Sequence, residues 1–367
     1  MKIIHVTPYY PPHLGGMEIA IKEFFELSKK NDIDAIVLTS NIGGNKKNKI
    51  KSTTDVIRLK TSFFLNVPIL WNLFWEIFKR ANKETIVHLH TAIILTPEIA
   101  YLAARLKRAK VISHVHLDTE RSTIYGYLLP LYNQIFLKYI LKNSDRVICP
   151  TTDYISLLNK KYGVQVNKIK IVPYGIHYDQ FKDINPSHCD ETRLIFVGRF
   201  SEQKDLPFLI DVVEELKKKR KIKLYLIGEG NQKQKLQILV KSKKLEKAII
   251  FNNKIDHSKI QNAYLFGDIF VLSSNLESFG IVLIEAMACG LPLVVSDIAG
   301  VRCIINNGEN GFLCKKNIKD FCEKINLLID DKELFFKISK NNKIESRKYD
   351  WKKSTENLIE IYRRIIK

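Results

Sequence analysis

Short runs rich in Ile, Val, Leu and Phe recur along the whole chain. Between them lie longer segments in which apolar residues return every three to four positions. Runs of four to six apolar residues predict strands buried on both faces, and the periodic segments predict helices. In the first half, strands are predicted at 2–6, 35–39, 56–59, 86–90, 111–116, 146–149 and 169–172. A second series is predicted at 194–197, 223–227, 248–251, 269–272 and 293–296. Strands alternating with helices imply parallel α/β sheets. The turn-rich stretch 174–191 interrupts the alternation, so residues 1–173 and 192–350 read as two doubly wound domains joined by a linker. No repeat of solenoid length is visible.

Length and composition narrow the class. The 367 residues suit two domains, each with its own core. Gly and Pro total 27, and 46% of residues are hydrophobic, which excludes collagen-like and disordered chains. No apolar run reaches the roughly 20 residues of a membrane span. Pro8, Pro11 and Pro12 interrupt the start, so no signal peptide is expected and the location is expected to be cytoplasmic. Six cysteines (149, 189, 289, 303, 314, 322) lie too far apart for CxxC-type sites, and most are expected as small buried residues.

Charge adds a field without a site. The chain carries +20, with +12 in residues 1–175 (25 minus 13) and +8 in the remainder (34 minus 26). That sign suits phosphates or an anionic surface. Solvated Lys-rich helix faces explain much of it, and no nucleic-acid signature with interleaved aromatics accompanies it.

Ligands of doubly wound sheets bind beyond the carboxyl ends of the strands, so chemistry is sought just after each strand. After the first strand, Gly15 and Gly16 precede a helix, where backbone amides can approach a phosphate. The pattern is not GxGxxG. In LIFVGRFSEQKDLPFLI, Arg199 and Lys204 follow a strand and could clamp a diphosphate, one as a planar fork and one as a point charge. The segment NLESFGIVLIEAMACGLPLV is the most informative. Glu277 falls in the loop, and the amides from Phe279 through Gly280, Ile281 and Val282 open a helix with the positive end of its dipole. Glu285 is an acid inside an apolar helix, which suits either a core salt bridge or hydrogen bonds to ligand hydroxyls.

Histidines pair on strands: His88 with His90, and His114 with His116, each pair on one face. No carboxylate or cysteine sits at ligand spacing, so no metal is expected. His116, at its strand's end, is the better candidate for a site.

Taken together, the Gly-Gly turn, GRFSEQK, ESFGIVLIEAMACGLP and NNGENGFLC resemble the GT4 family of retaining glycosyltransferases. The likeness runs from Lys2 to the last helix. It implies the GT-B fold, two Rossmann-like domains facing across a cleft, with the helix at 351–367 crossing back onto the first. It implies that Glu277 binds the donor sugar, Glu285 the ribose, and the amides of 279–282 the diphosphate. Arg199 and Lys204 would neutralise the leaving group, Gly16 would let its loop approach the donor phosphates, and His116 would stand near the reacting centre. The donor implied is a UDP- or GDP-linked sugar bound as substrate, with no cofactor. A glycan or lipid-linked acceptor of the cell envelope is implied. The sequence departs from the family at Tyr174, where Asn is common, and at His177, where Asp is common.

Two further enzyme readings share this fold. A phosphorylase would need a pyridoxal lysine and a longer chain, and an epimerase would turn over nucleotide sugar without an acceptor. An inactive basic scaffold would be expected to have lost Glu277, Glu285, Arg199 or Lys204, and all four are present. Residues 67–80, with Trp71 and Trp75, and residues 124–142 combine aromatic and basic side chains, as an interfacial helix on an anionic membrane requires. A peripheral association with the membrane surface is therefore expected of the first domain.

Overall fold

The run Ile3-Ile4-His5-Val6 is buried to the last side chain, as a strand covered by helices on both faces must be. A computed structural model describes residues 1–13, 15–42, 50–64, 67–91, 94–116, 132–188, 190–252, 255 and 257–366. They form two units, one of Met1–Tyr174 with Trp351–Lys367 and one of Gly175–Asp350.

The first unit is built on a seven-stranded sheet of order β3-β2-β1-β6-β7-β8-β9, all neighbours parallel. Its strands are β1 (Lys2–Val6), β2 (Asp34–Ser40), β3 (Val56–Leu59), β6 (Thr85–Thr91), β7 (Lys110–Val115), β8 (Arg146–Cys149) and β9 (Ile169–Ile171). Helices α1 (Gly16–Lys30), α2 (Leu73–Arg80), α3 (Thr96–Leu106), α4 (Lys138–Asn143) and α5 (Asp153–Tyr162) connect them. The C-terminal helix Trp351–Ile366 packs against α1, and Asn357 donates to the Ile171 carbonyl at 3.2 Å. One core joins Leu70, Leu73 and Ile77 to β1, β2 and β6, and a second lies under α5.

An antiparallel hairpin, β4 (Thr61–Phe64) and β5 (Val67–Leu70), departs from the helix expected across 67–80. Pro68 lacks the N–H that a helix interior requires, and Asn72 takes φ +64 just before the helix starts at Leu73. The expected segment 124–142 is described only from residue 132, and Cys189 also lies outside the described residues.

The second unit has a six-stranded parallel sheet of order β12-β11-β10-β13-β14-β15. The strands are β10 (Thr192–Val197), β11 (Ile222–Ile227), β12 (Ile249–Asn252), β13 (Ile269–Leu272), β14 (Leu293–Ser296) and β15 (Gly311–Cys314). Its helices include α6 (Leu206–Lys217), α7 (Lys233–Ser242), α8 (Ile281–Ala288), α9 (Ile318–Asp330) and α10 (Lys332–Ser346). Residues 175–191, read from the sequence as a linker, cluster with this unit. Asp268 fastens them, accepting from the Ser187 hydroxyl at 2.7 Å and the Arg193 guanidinium at 2.6 Å.

Candidate active site

Two loops at the carboxyl ends of β10 and β13 meet in the second unit. The first leaves β10 through Gly198 and the exposed Arg199, then makes one 3-10 turn, Glu202–Lys204. The second leaves β13 through Ser273 and Ser274 and reaches Glu277 before α8. Lys204 Nζ and Glu277 Oε1 form an ion pair, and both side chains are largely removed from solvent. Ser274 Oγ donates to the same carboxylate oxygen at 2.8 Å. The loops are also stitched through backbone: Asn275 N–H donates to the Gln203 carbonyl at 2.8 Å, and Gln203 Nε2 to the Leu276 carbonyl at 2.6 Å. Lys316 adds a second bridge, to Asn275 Oδ1 at 2.6 Å and Asp205 Oδ2 at 2.9 Å. Arg199 and Lys204 thus stand on one loop, and Lys204 and Glu277 are brought into contact.

Glycines shape the approach to α8. Gly280 caps the helix at φ +76, where a Cβ would also come within 2.9 Å of Leu283. Gly300, at φ +83, lies against the Glu277 loop so closely that a Cβ would be 2.3 Å from the Glu277 carbonyl. The first-turn amides of α8, at Ile281 and Val282, have no intrahelical acceptor and carry the positive end of the dipole. Phe279 is buried, edge-on to Tyr349 at 5.7 Å, which fixes the turn that aims those amides.

Glu285 is buried within α8, and Tyr264 donates its hydroxyl to Oε2 at 2.6 Å. Among the described residues no cation pairs with it, so the core salt bridge that the sequence left open is not what holds it there. Burial pushes its carboxyl up to about 7, and the Tyr264 hydrogen bond opposes part of that rise. The buried acid lies in a place that would favour a partner with hydroxyl donors.

In the first unit, Gly15 is the extended N-cap of α1 (φ −169) and Gly16 its first residue, so the pair opens the helix without left-handed backbone. His116 directly follows β7 and is buried. Its Nδ1 bonds the Tyr174 hydroxyl and its Nε2 meets His90 Nδ1 at 2.7 Å; His90 Nε2 in turn meets His5 Nδ1 at 3.0 Å. A parallel chain joins His114 to His88 at 3.2 Å and His88 to Tyr362. All five rings lie on one face of adjacent strands, beneath α1 and the C-terminal helix. Burial holds His5 and His116 at about 3 and the other three well below the ordinary range. Their nitrogens approach one another in two triads sharing His90, but mutual hydrogen bonds occupy most of them. Both nitrogens of His116 are engaged, so its side chain has no free lone pair or proton for a reacting group.

Sequence reasoning missed Ser274, Tyr264, Gly300 and Lys316. A serine, a phenol, a glycine and a lysine in loops or short turns carry no periodic signal, and only the folded chain shows what they touch. Tyr174, the departure from the family pattern, proves to be the hydroxyl that holds His116.

Comparison with known proteins covers nearly the whole chain. The family model Glycosyltransferase Family 4 matches residues 14–180, and Glycosyl transferases group 1 matches residues 178–345. An uncharacterized glycosyltransferase of Methanocaldococcus jannaschii is 28% identical over 99% of this chain and 98% of its own length. The sulfoquinovosyl transferase SQD2 of Arabidopsis thaliana is 25% identical, over 97% of this chain and 72% of its own. Among solved structures, sucrose-phosphate synthase from Thermosynechococcus elongatus superposes with a TM-score of 0.79 at 18% identity, covering 99% of this chain and 98% of that one. HepE of Anabaena, solved in complex with UDP, has a TM-score of 0.79 at 18% identity, covering 98% of this chain and 99% of its own.

Proposed function

From the premise that this chain belongs to the family 4 glycosyltransferases and has their GT-B fold, we propose its reaction. A sugar moves from a nucleotide-diphosphate sugar to a glycan or lipid-linked acceptor of the cell envelope, with retention and without a divalent metal. The observation that carries this reading is the Lys204–Glu277 pair beside the amide-lined start of α8. A departing diphosphate builds negative charge, and fixed cations with aligned amides stabilise it where it develops. Lys204 keeps N–H groups beyond the one given to Glu277, and Arg199 stands on the same loop. Two cations in that position take the part a metal plays in other diphosphate sites. UDP and UDP-glucose complexes of HepE support a nucleotide-sugar donor.

In this reading Glu277, held by Lys204 and Ser274, accepts from sugar hydroxyls, and Glu285 accepts from the ribose. The amides of 279–282 hold the diphosphate. With both carboxylates so engaged, neither is free to attack the sugar, which favours same-face displacement. The bond from the anomeric carbon to phosphate breaks, the acceptor oxygen bonds to that carbon on the same face, and its proton passes to the leaving phosphate. His116, with both nitrogens engaged, serves as a positioning residue rather than a base.

The test is a transfer assay on purified protein with nucleotide sugars and a glycan or lipid-linked acceptor, with product anomers read by NMR. An α-linked product from an α-linked donor supports the reading. Sugar epimerised with no acceptor modified, or an inverted product, would replace it.

A further inference from the structure

The aromatic side chains that this protein leaves in water are not spread evenly. Eight aromatics are exposed among the described residues, and six of them, Phe63, Phe64, Trp71, Trp75, Phe136 and Tyr139, fall within one 77-residue stretch of the first unit. Phe63 and Phe64 end β4, at the tip of the β4–β5 hairpin. Trp71 follows the hairpin, bonded through its indole N–H to Ser62 Oγ at 2.9 Å, and Trp75 stands on α2. Phe64 is 61% exposed, Trp71 52% and Trp75 56%.

Side-chain contacts tie α2 to α3 and α3 to α4. Trp75 meets Phe74 and Phe78 edge-on at 5.1 and 6.0 Å, and Lys107 at the end of α3 sits 4.7 Å above Phe78. Helix α3 exposes Leu102 and Leu106, and its Tyr101 meets Tyr139 of α4 at 6.0 Å. Large apolar groups in that number exceed what a soluble surface scatters singly. Cations stand on or directly beside the same elements: Lys60, Lys79, Lys107 (over Phe78), Arg108, Lys138 and Lys142. The acid of α2, Glu76, is already bound to Arg80, and Glu98 of α3 is bound to Tyr132.

We propose that the β4–β5 hairpin, α2 and the adjoining faces of α3 and α4 form a docking surface for an anionic lipid bilayer. Aromatic rings suit the boundary between headgroups and acyl chains, with cations beside them facing lipid phosphates. A second copy of this chain is a poorer occupant. Two-fold contact through this patch would set its cations against their own images. The hairpin is also the part that the sequence pattern misread as helix, so the surface reaches beyond residues 67–80 to the two phenylalanines at its tip. The proposal is independent of the transfer reaction, because no residue in it belongs to the candidate active site.

The full chain is mixed with vesicles of phosphatidylcholine alone or with phosphatidylglycerol added, and with lipids brominated along the acyl chain. The chain has three tryptophans, and the third, Trp351, is buried against Phe24 and Tyr174. Brominated phosphatidylglycerol vesicles should therefore quench Trp71 and Trp75, while Trp71→Phe with Trp75→Phe leaves an emission that bromine does not touch. Phe64→Ser and Lys79→Glu, both at exposed sites, should each weaken sedimentation with anionic vesicles. Loss of one cation is expected to cost about fivefold and its reversal more. Binding should also fall with added salt. Equal binding to neutral vesicles, or no quenching in the unsubstituted protein, would overturn the proposal. So would a concentration-dependent dimer in sedimentation velocity that Phe64→Ser dissolves, since the surface would then belong to a second copy.

Discussion

Lys204 and Glu277, 73 residues apart in sequence, meet as an ion pair that ties the loop after β10 to the loop after β13. Each partner has further anchors: Ser274 donates to Glu277, and Ser273 Oγ donates to the Lys204 carbonyl at 2.7 Å. Removing Lys204 therefore leaves Glu277 with the Ser274 hydroxyl, and the Ser273 bond holds the Lys204 backbone in place when Glu277 is removed.

Lys204→Ala and Glu277→Ala are each expected to lower transfer by about 10²–10³, the scale of one preorganised group facing developing charge. The double variant should lose little more than either single, because the two act as a unit. Melting curves check that the folds persist. Additive losses, or near wild-type turnover in either folded variant, would remove the pair from the reaction.

A second prediction concerns Glu285. Its folded value of about 7 lies above the ordinary 4.5, so the folded chain holds a proton there that the unfolded chain has released. The stabilising contribution is full below about 4.5 and is lost as pH rises through 7. Relative to Glu285→Gln, which has no such slope, wild type should lose on the order of 3 kcal/mol of stability between pH 4.5 and 8. Tyr264→Phe removes the hydrogen bond that favours the charged form, so it should push the carboxyl higher still and weaken the fold most above pH 7. Denaturant titrations of the three proteins across that range, following the second unit by hydrogen exchange, are the measurement. A flat difference between wild type and the Gln variant would mean that Glu285 is ionised throughout.

Much of this was legible in the sequence because parallel strands buried on both faces write themselves as short apolar runs. Lys2–Val6, Val56–Leu59, Arg146–Cys149, Ile269–Leu272 and Leu293–Ser296 carry the expected bounds. Where burial is partial, the signal fades. The hairpin at 61–70 exposes Phe63 and Phe64, and its apolar run is ambiguous between helix and strand; Pro68 was the available clue. Strand β15 hides in GFLC, short and led by a glycine whose Cβ would lie 2.8 Å from the Leu293 carbonyl. Lys204, Glu277 and Glu285 could be found by position alone, since chemistry collects after the strands of such sheets. Their supports could not. Tyr264 is one aromatic residue in an irregular 3-10 segment, and its phenol becomes a partner of Glu285 only in the fold.

Metal independence gives a third prediction. Transfer should be unchanged in EDTA and gain nothing from magnesium or manganese if, as proposed, Lys204 and Arg199 supply the charge at the diphosphate. Glu277, beside Lys204, is already committed to that lysine and to Ser274. Activity that vanished on chelation and returned with one divalent ion would reassign Glu277 as a ligand.

The histidine array of the first unit sets the last prediction, and its sign is opposite to that of Glu285. His5 and His116 are held at about 3 against an ordinary 6.5, and His88, His90 and His114 are held well below it. Between those values the unfolded chain binds protons that the folded unit refuses, so stability is full above about 6.5 and falls as pH drops. His5 and His116 alone should cost on the order of 2 kcal/mol apiece at pH 5. That is a large share of the stability of an ordinary domain. The first unit should therefore open in mild acid, with Trp351 emission shifting to the red and β6 and β7 losing amide protection before β10 and β13. The slope of stability against pH should approach five protons near pH 5. His114→Leu should lower that slope by one, since its Nε2 has no partner among the described residues and the bond to His88 is the one given up. An acid transition releasing both units together, with a slope of one proton or less, would show that the rings are charged in the folded protein and that the hydrogen-bonded chains through His90 and His88 carry imidazolium.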